Sequence, residues 1–179
     1  GFINKLIQEK KDFDLSITSR QETHQIELNN FKITSYHFTD DKFDSSIDKK
    51  LKEANYILIS IPPIEGKDIV AKYFDKNLQG ITNCKWITYL SATSVYGDHK
   101  GEWVNENSTT KPTSPNGSNR LAAENTWKKL SNKHKYPLQI FRLAGIYSNE
   151  FNILKRLQTG KLQVVDKKNH FFSRIHVED

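Results

Sequence analysis

The run Tyr-Ile-Leu-Ile-Ser-Ile at residues 56–61, closed by Pro62-Pro63, constrains the fold more than any other stretch of the chain. A near-continuous apolar run of this length belongs to a strand covered on both faces, as in parallel sheets. The prolines end it, because neither has an N–H to give to a ladder. Further strands are expected at 14–19, 33–38, 86–90 and 138–143, with shorter pieces at 162–165 and 172–177. Helical spacing falls between them. Phe2, Ile3, Leu6 and Ile7 predict that the chain opens inside a helix. A polar helix follows at 44–53, and a helix face at Ile69, Val70, Tyr73, Phe74 and Leu78. Ser118 is expected to cap a helix with a buried stripe of Ala123, Trp127, Leu130 and His134, and 151–157 to form a short helix. A loop rich in Gly, Asn, Thr and Pro spans 97–115. Strands alternating with helices imply an α/β fold, a doubly wound parallel sheet with helices on both faces.

The chain has 179 residues, room for one domain with a real core. It has no run of apolar residues long enough to span a membrane, and its first residues are too short in apolar length for a signal peptide. Cys84 is the only cysteine, so no internal disulfide forms, and a reducing cytoplasm is the expected setting. The net charge of +6 comes from lysines spread along the chain without interleaved aromatic residues. That is a solvated surface rather than a nucleic-acid groove, and it tolerates an anionic small molecule. The chain holds no methionine and stops at His176-Val177-Glu178-Asp179, so both ends are expected to be cuts through a longer protein.

Ligands of doubly wound sheets sit at the carboxyl ends of the strands, so residues there are candidates. Ser19-Arg20 ends the first expected strand. An acid at such a position bonds the 2′-hydroxyl of NAD, whereas an arginine accommodates the 2′-phosphate of NADP. A guanidinium suits phosphate because it is always charged and bonds bidentately. Asp40 follows the next strand, and Ile61-Pro62-Pro63 the one after it. The prolines leave only carbonyls and packing for contacts there. His99 lies in a loop after a strand end; an exposed loop histidine is the alternative.

Residues Ser91-Ala92-Thr93-Ser94-Val95-Tyr96-Gly97-Asp98, then Pro115-Asn116-Gly117-Ser118-Asn119-Arg120-Leu121-Ala122-Ala123-Glu124, carry the most specific pattern. With Phe141-Arg142-Leu143-Ala144-Gly145-Ile146-Tyr147 and Ser173-Arg174-Ile175-His176-Val177-Glu178-Asp179, they run in the order of the extended short-chain dehydrogenase/reductase family, which this chain resembles. It most resembles the atypical subgroup described as NAD(P)-dependent epimerase/dehydratase proteins. The resemblance implies a Rossmann-like NAD(P)-binding domain over 1–147 and the beginning of a substrate lobe over 148–179. Gly1-Phe2-Ile3 resembles the end of the family's glycine-rich loop, so the first, central strand is expected upstream of residue 1.

The family's tyrosine and lysine, set in a Tyr-x-x-x-Lys spacing, are replaced here by Asn116 and Arg120, and Ala92 stands where a serine or threonine is usual. A neutral amide cannot supply a proton of useful pKa. Ser91 and Thr93 flank Ala92 and could supply a hydroxyl; Tyr96, His99 and Tyr147 could supply a proton. For Tyr96 the alternative is packing. The resemblance also places Leu143, Ala144, Gly145 and Ile146 beside the cofactor, and Tyr147, Arg174 and His176 at the substrate cleft. For Arg174 and His176 the alternative is a tie between the lobe and the sheet. After Tyr147 the family's Gly-Pro-Gly is Ser148-Asn149-Glu150 here.

The sequence therefore predicts an NAD(P)-dependent oxidoreductase or epimerase, with NADP preferred over NAD, a nucleotide-sugar-like substrate and a non-standard proton donor. The competing reading is a non-catalytic NADP-binding sensor or regulator. The expected partner is a small molecule, with no nucleic acid, membrane or metal; a homodimer is admitted.

Overall fold

The computed structural model describes residues 2–9, 13–77, 81–160 and 171–179. Gly1, Leu78 and the expected piece at 162–165 lie outside them. Helix α1 (Phe2–Glu9) opens the chain, with its apolar positions half-buried or exposed. Strand β1 (Ser16–Ser19) runs parallel to β3 (Phe31–His37), and β2 (His24–Leu28) pairs antiparallel with β3. The β2–β3 hairpin was not expected. It turns at Asn29-Asn30, both at positive φ (51° and 63°), a conformation asparagine tolerates better than other side-chain-bearing residues.

After α2 (Ser46–Glu53) comes a second, wholly parallel sheet in the order β4 (Tyr56–Ile59), β5 (Trp86–Ala92), β6 (Leu138–Leu143). Helix α3 (Ile69–Asn77) connects β4 to β5, and α4 (Pro115–His134) connects β5 to β6. Among the described residues β1 and β4 each pair on one edge only. The parallel order with helical crossovers is the α/β, Rossmann-like architecture that the alternation predicted.

One core joins the two sheets. Tyr36 and Phe38 from the first sheet region and Ile47 of α2 pack with Ile57, Ile59, Ile87 and Tyr89 of the second. Val70, Ala71, Tyr73 and Phe74 of α3 and Ala123, Trp127 and Leu130 of α4 cover one face of that second sheet. The other face is more open: Tyr56 is 53% and Leu58 42% exposed. So β4 alternates exposed and buried instead of being covered on both sides, because α3 and α4 lie on one side of it. Trp127 is fully buried, with its ring edge-on to Phe74; truncating such a residue to alanine costs about 3–5 kcal/mol.

Helix α4 starts earlier than expected. Ser114, not Ser118, is its N-cap, accepting a hydrogen bond from the Gly117 N–H, and Pro115 takes the first helical position. Asn116 and Arg120 therefore lie one turn apart at the start of the helix. Lys135 ends it in the left-handed conformation (φ 59°). Beyond β6, β7 (Gly145–Tyr147) pairs in parallel with β8 (Arg174–His176), and α5 (Ile153–Gln158) lies between them.

Candidate functional site

Because β1 and β3 are parallel, and β4, β5 and β6 are parallel, the carboxyl ends of β1 and β3 share one rim of the first sheet and those of β4, β5 and β6 one rim of the second. Arg20 is exposed just past β1. Ser19 is engaged in the fold, its hydroxyl accepting from the Ser35 hydroxyl (3.0 Å) and the Gln21 N–H (3.3 Å). Asp40 is exposed and pairs with Lys72 at 3.4 Å. Nearby, Glu22 pairs with Lys42 at 2.9 Å, a contact that holds the Glu22 carboxyl below its ordinary value. After β4, Ile61 is half-buried, Pro62 exposed and Pro63 buried. At the other end of the predicted dinucleotide path, Phe2 is exposed and Ile3 half-buried, while Gly1 lies outside the described residues.

The end of β5 holds a network that sequence reasoning missed. Ser91 shares the covered face with Ile87 and Tyr89, and its hydroxyl donates to Glu124 at 2.6 Å. Glu124 has a fully buried side chain and also accepts from Arg142 Nε (3.0 Å) and Nη2 (2.8 Å). Burial alone would raise the Glu124 pKa, but the hydrogen bonds from Arg142 and Ser91 outweigh it and hold the carboxyl below its ordinary value. The Arg142 guanidinium lies 4.7 Å from the Tyr96 ring centroid, so its Nη1, without a hydrogen-bond acceptor, sits in a group compensated by an aromatic face. The signal was an arginine in a largely apolar strand and a glutamate beside a helix's buried stripe.

Tyr96 and His99 lace the loop through their polar atoms, and Tyr96 also lines a cavity beside it. The buried Tyr96 donates its hydroxyl to the Asn105 carbonyl (2.9 Å), and His99 Nε2 lies 3.0 Å from the Thr109 carbonyl. Arg120 is half-buried and donates from Nη1 to the Leu90 carbonyl at 2.6 Å. Beneath it, burial pushes the Tyr89 hydroxyl up to about 12. Asp68 caps α3, accepting from the Val70 and Ala71 N–H groups (3.0 and 2.9 Å) and from Trp127 Nε1 (2.9 Å). Burial raises its carboxyl pKa.

The structure sets the turn that begins at Thr93 against the start of α4, the helix that carries Asn116 and Arg120. Thr93 opens the short 3-10 turn Thr93–Val95 at the end of β5. The first turn of α4 presses on that turn so closely that a Cβ on Gly117 would lie 2.5 Å from the Ser94 carbonyl oxygen. Thr93 is half-buried and Asn116 exposed. Among the described residues neither side chain makes a hydrogen bond.

Past β6, Leu143, Ala144 and Gly145 are half-buried, and Ile146 is exposed. The β7–β8 register sets Gly145 opposite Arg174, Ile146 opposite Ile175 and Tyr147 opposite His176. Arg174 lies across Gly145, where a Cβ would meet its Nη1 at 2.6 Å. The Tyr147 and His176 rings meet edge-on at 5.1 Å. Among the described residues no cluster of three metal-ligating side chains occurs, and no helix is long and apolar enough to cross a membrane.

No protein-family model matches this chain, and none of the curated proteins does. Solved structures do match. The chain is similar to a functionally unknown conserved protein from Silicibacter pomeroyi DSS, with 38% identity, a TM-score of 0.61, and coverage of 70% of this chain and 44% of that one. It is also similar to the UDP-N-acetylglucosamine 4-epimerase from Methanobrevibacter ruminantium M1 in complex with UDP-N-acetylmuramic acid (15% identity, TM-score 0.65, 98% of this chain, 64% of that one). A third is a UDP-glucuronic acid 4-epimerase variant from Bacillus cereus in complex with UDP-4-deoxy-4-fluoro-glucuronic acid and NAD (16%, TM-score 0.57, 72% and 46%). The two epimerases share its fold. This chain spans 44% to 64% of the length of these three proteins.

Proposed function

We propose that the protein binds a nicotinamide dinucleotide as an extended short-chain dehydrogenase/reductase does, and exchanges hydride with a nucleotide-sugar-like substrate as an oxidoreductase or epimerase. What supports this reading is that the turn at Thr93–Val95, at the end of β5, packs against the start of α4, which carries Asn116 and Arg120, while Arg20 lies exposed just past β1 of the other sheet. The residues fit the group. Arg20 has no ion-pair partner among the described residues, while Glu22 and Asp40 are matched by Lys42 and Lys72. An exposed guanidinium there would hold a 2′-phosphate, which favours NADP over NAD. Ile61, Pro62 and Pro63 would pack against the middle of the dinucleotide, and Leu143 to Ile146 would border its nicotinamide end. A bound nicotinamide supplies the hydride donor and acceptor.

The chain's own part is positioning. Ser91 is committed to Glu124, so Thr93 supplies the hydroxyl for a substrate oxygen, with the exposed Asn116 amide at the start of α4 as a further polar group. Arg120, fixed on the Leu90 carbonyl, shapes the wall and exchanges no proton. Loss of a positioned acid or base lowers a rate by about 10²–10⁴, so slow turnover is expected.

A specific observation favours a second reading, a non-catalytic NADP-binding sensor. Ser91, Tyr96, His99 and Arg120 already spend polar atoms on the protein itself. The test offers the protein NADPH or NADP⁺ with a panel of nucleotide-sugars while nicotinamide absorbance is followed. Turnover that drops in a Thr93→Val variant supports the enzyme. Tight binding without turnover supports the sensor, and absence of binding overturns both.

A further inference from the structure

We infer that Asn116 is a modification site: its side-chain amide is converted to a carboxylate with loss of ammonia, at a rate set by the Ser114 cap of α4. Asn116-Gly117 is the only Asn-Gly pair in the chain. In such a pair the backbone nitrogen of the glycine attacks the side-chain carbonyl carbon of the asparagine. A new C–N bond closes a five-membered succinimide ring. The bond to the amide nitrogen breaks, and ammonia leaves with the proton that the glycine nitrogen gives up. A water molecule then opens the ring at either carbonyl, its hydroxyl going to the carbon and its proton to the nitrogen. The product is aspartate, or isoaspartate with the chain routed through the former side chain. Glycine favours ring closure because no Cβ shields its nitrogen.

Packing imposes the glycine. A Cβ on residue 117 would lie 2.5 Å from the Ser94 carbonyl oxygen and 3.0 Å from the Pro112 Cβ, so no larger residue fits against the 3-10 turn. The amide is reachable, since Asn116 is exposed and makes no hydrogen bond among the described residues. Both reactants are therefore in place, and the helix start restrains them. Gly117 lies in the first turn of α4, where no carbonyl of the helix itself can accept its N–H. Ser114 Oγ accepts that N–H at 3.1 Å, and the Ser114 carbonyl accepts the Ser118 N–H at 3.0 Å. A nitrogen whose hydrogen is engaged, in a backbone fixed as helix, is not free to close the ring. The turn has to open first, and the free energy of that local opening sets the rate.

The aspartate product suits its place. A carboxylate in the first turn is stabilised by the positive end of the helix dipole, and Arg120 lies four residues on, at the spacing of a favourable helix ion pair. Isoaspartate adds a backbone carbon to the turn that packs against Ser94, and that contact has no room for it. On the hydride-exchange reading, the conversion also puts an ionisable group where only an amide stands; the modification site itself does not rest on that reading.

The test incubates wild type, Ser114→Ala and Ser114→Asp in mildly alkaline buffer, each with and without urea, and follows the mass gain at Asn116 by peptide mapping. Asn152→Ala controls for general loosening, because it removes the cap of α5 instead, where the Asn152 side chain accepts from the Lys155 N–H at 3.1 Å. In urea all four chains should convert at one rate. Folded wild type should convert at least about tenfold more slowly than in urea. Ser114→Ala, with its cap gone, should convert about fivefold faster than folded wild type. Ser114→Asp keeps an acceptor at the cap, and both it and Asn152→Ala should stay at the wild-type rate. No conversion at Asn116 in urea, a folded wild type as fast as the unfolded chain, or a Ser114→Ala variant no faster than Asn152→Ala overturns the inference. The assay contains no dinucleotide, so its failure leaves the dinucleotide reading standing.

Discussion

Replacing Glu124 by glutamine probes the centre of this fold with little change in volume. The carboxylate is fully buried and accepts from Ser91 (2.6 Å) and twice from Arg142 (3.0 and 2.8 Å). An amide has one acceptor oxygen for these donors and turns its own N–H groups on the rest. It also leaves the Arg142 cation, 14% exposed, without a counter-charge. Breaking a buried pair by removing one partner costs about 3–5 kcal/mol. The Tyr96 face and the residual exposure of Arg142 place the loss near the lower end, about 3 kcal/mol. Urea unfolding at pH 7 reads it directly. The pH dependence supplies the sign. The folded-state pKa of Glu124 is depressed, so its stabilisation is present above the unfolded value near 4.5 and is lost as pH falls through the lower folded value. The gap between wild type and Glu124→Gln should therefore shrink below pH 4.5. Adding Arg142→Met should restore much of the loss, since an apolar replacement of a buried pair is often neutral. A loss under about 1 kcal/mol, or a gap that widens in acid, would refute the claim that this pair is a compensated buried charge.

Two further substitutions test how the rim is built. Gly117→Ala places a methyl 2.5 Å from the Ser94 carbonyl oxygen and 3.1 Å from its carbon, both backbone atoms, so it should cost about 1–3 kcal/mol in urea unfolding. Asp68→Ala removes the α3 cap and leaves Trp127 Nε1 buried without its acceptor, about 2–4 kcal/mol together, with a red shift of tryptophan emission. Its pH effect opposes that of Glu124: burial raises the Asp68 pKa, so wild type becomes less stable as pH rises from 3.8 through the folded value, and the variant lacks that slope.

Strands with an apolar identity of their own were legible. Residues 138–143 coincide with β6, and the helix stripe Ala123, Trp127 and Leu130 is buried as its spacing required. The β2–β3 hairpin was not, because His24, Ile26 and Leu28 alternate with polar residues in a short edge strand and its turn carries no glycine. The start of α4 was misplaced because Pro115 reads as a loop residue, although proline is favoured at the first helical position. At the strand ends, the direction each candidate side chain takes was not legible. Ser91 looks like a substrate contact from its motif, yet period-two alternation from Ile87 and Tyr89 already points it under α4. Tyr96 and His99 are candidate proton donors by sequence, and only tertiary contacts reveal that the Asn105 carbonyl takes the Tyr96 hydroxyl and the Thr109 carbonyl meets His99 Nε2. Sequence position alone could not assign the buried Glu124–Arg142 pair, whose members lie on different elements.

The central claim is that the strand-end rim holds a nicotinamide dinucleotide with Arg20 on the 2′-phosphate. Titration of wild type and Arg20→Ala with NADPH and NADH, followed by nicotinamide fluorescence, tests it most directly. The account predicts saturable binding to wild type, a loss of about tenfold or more for NADPH in the variant, and little change for NADH. Absence of binding to wild type, or an equal loss for both dinucleotides, would contradict it.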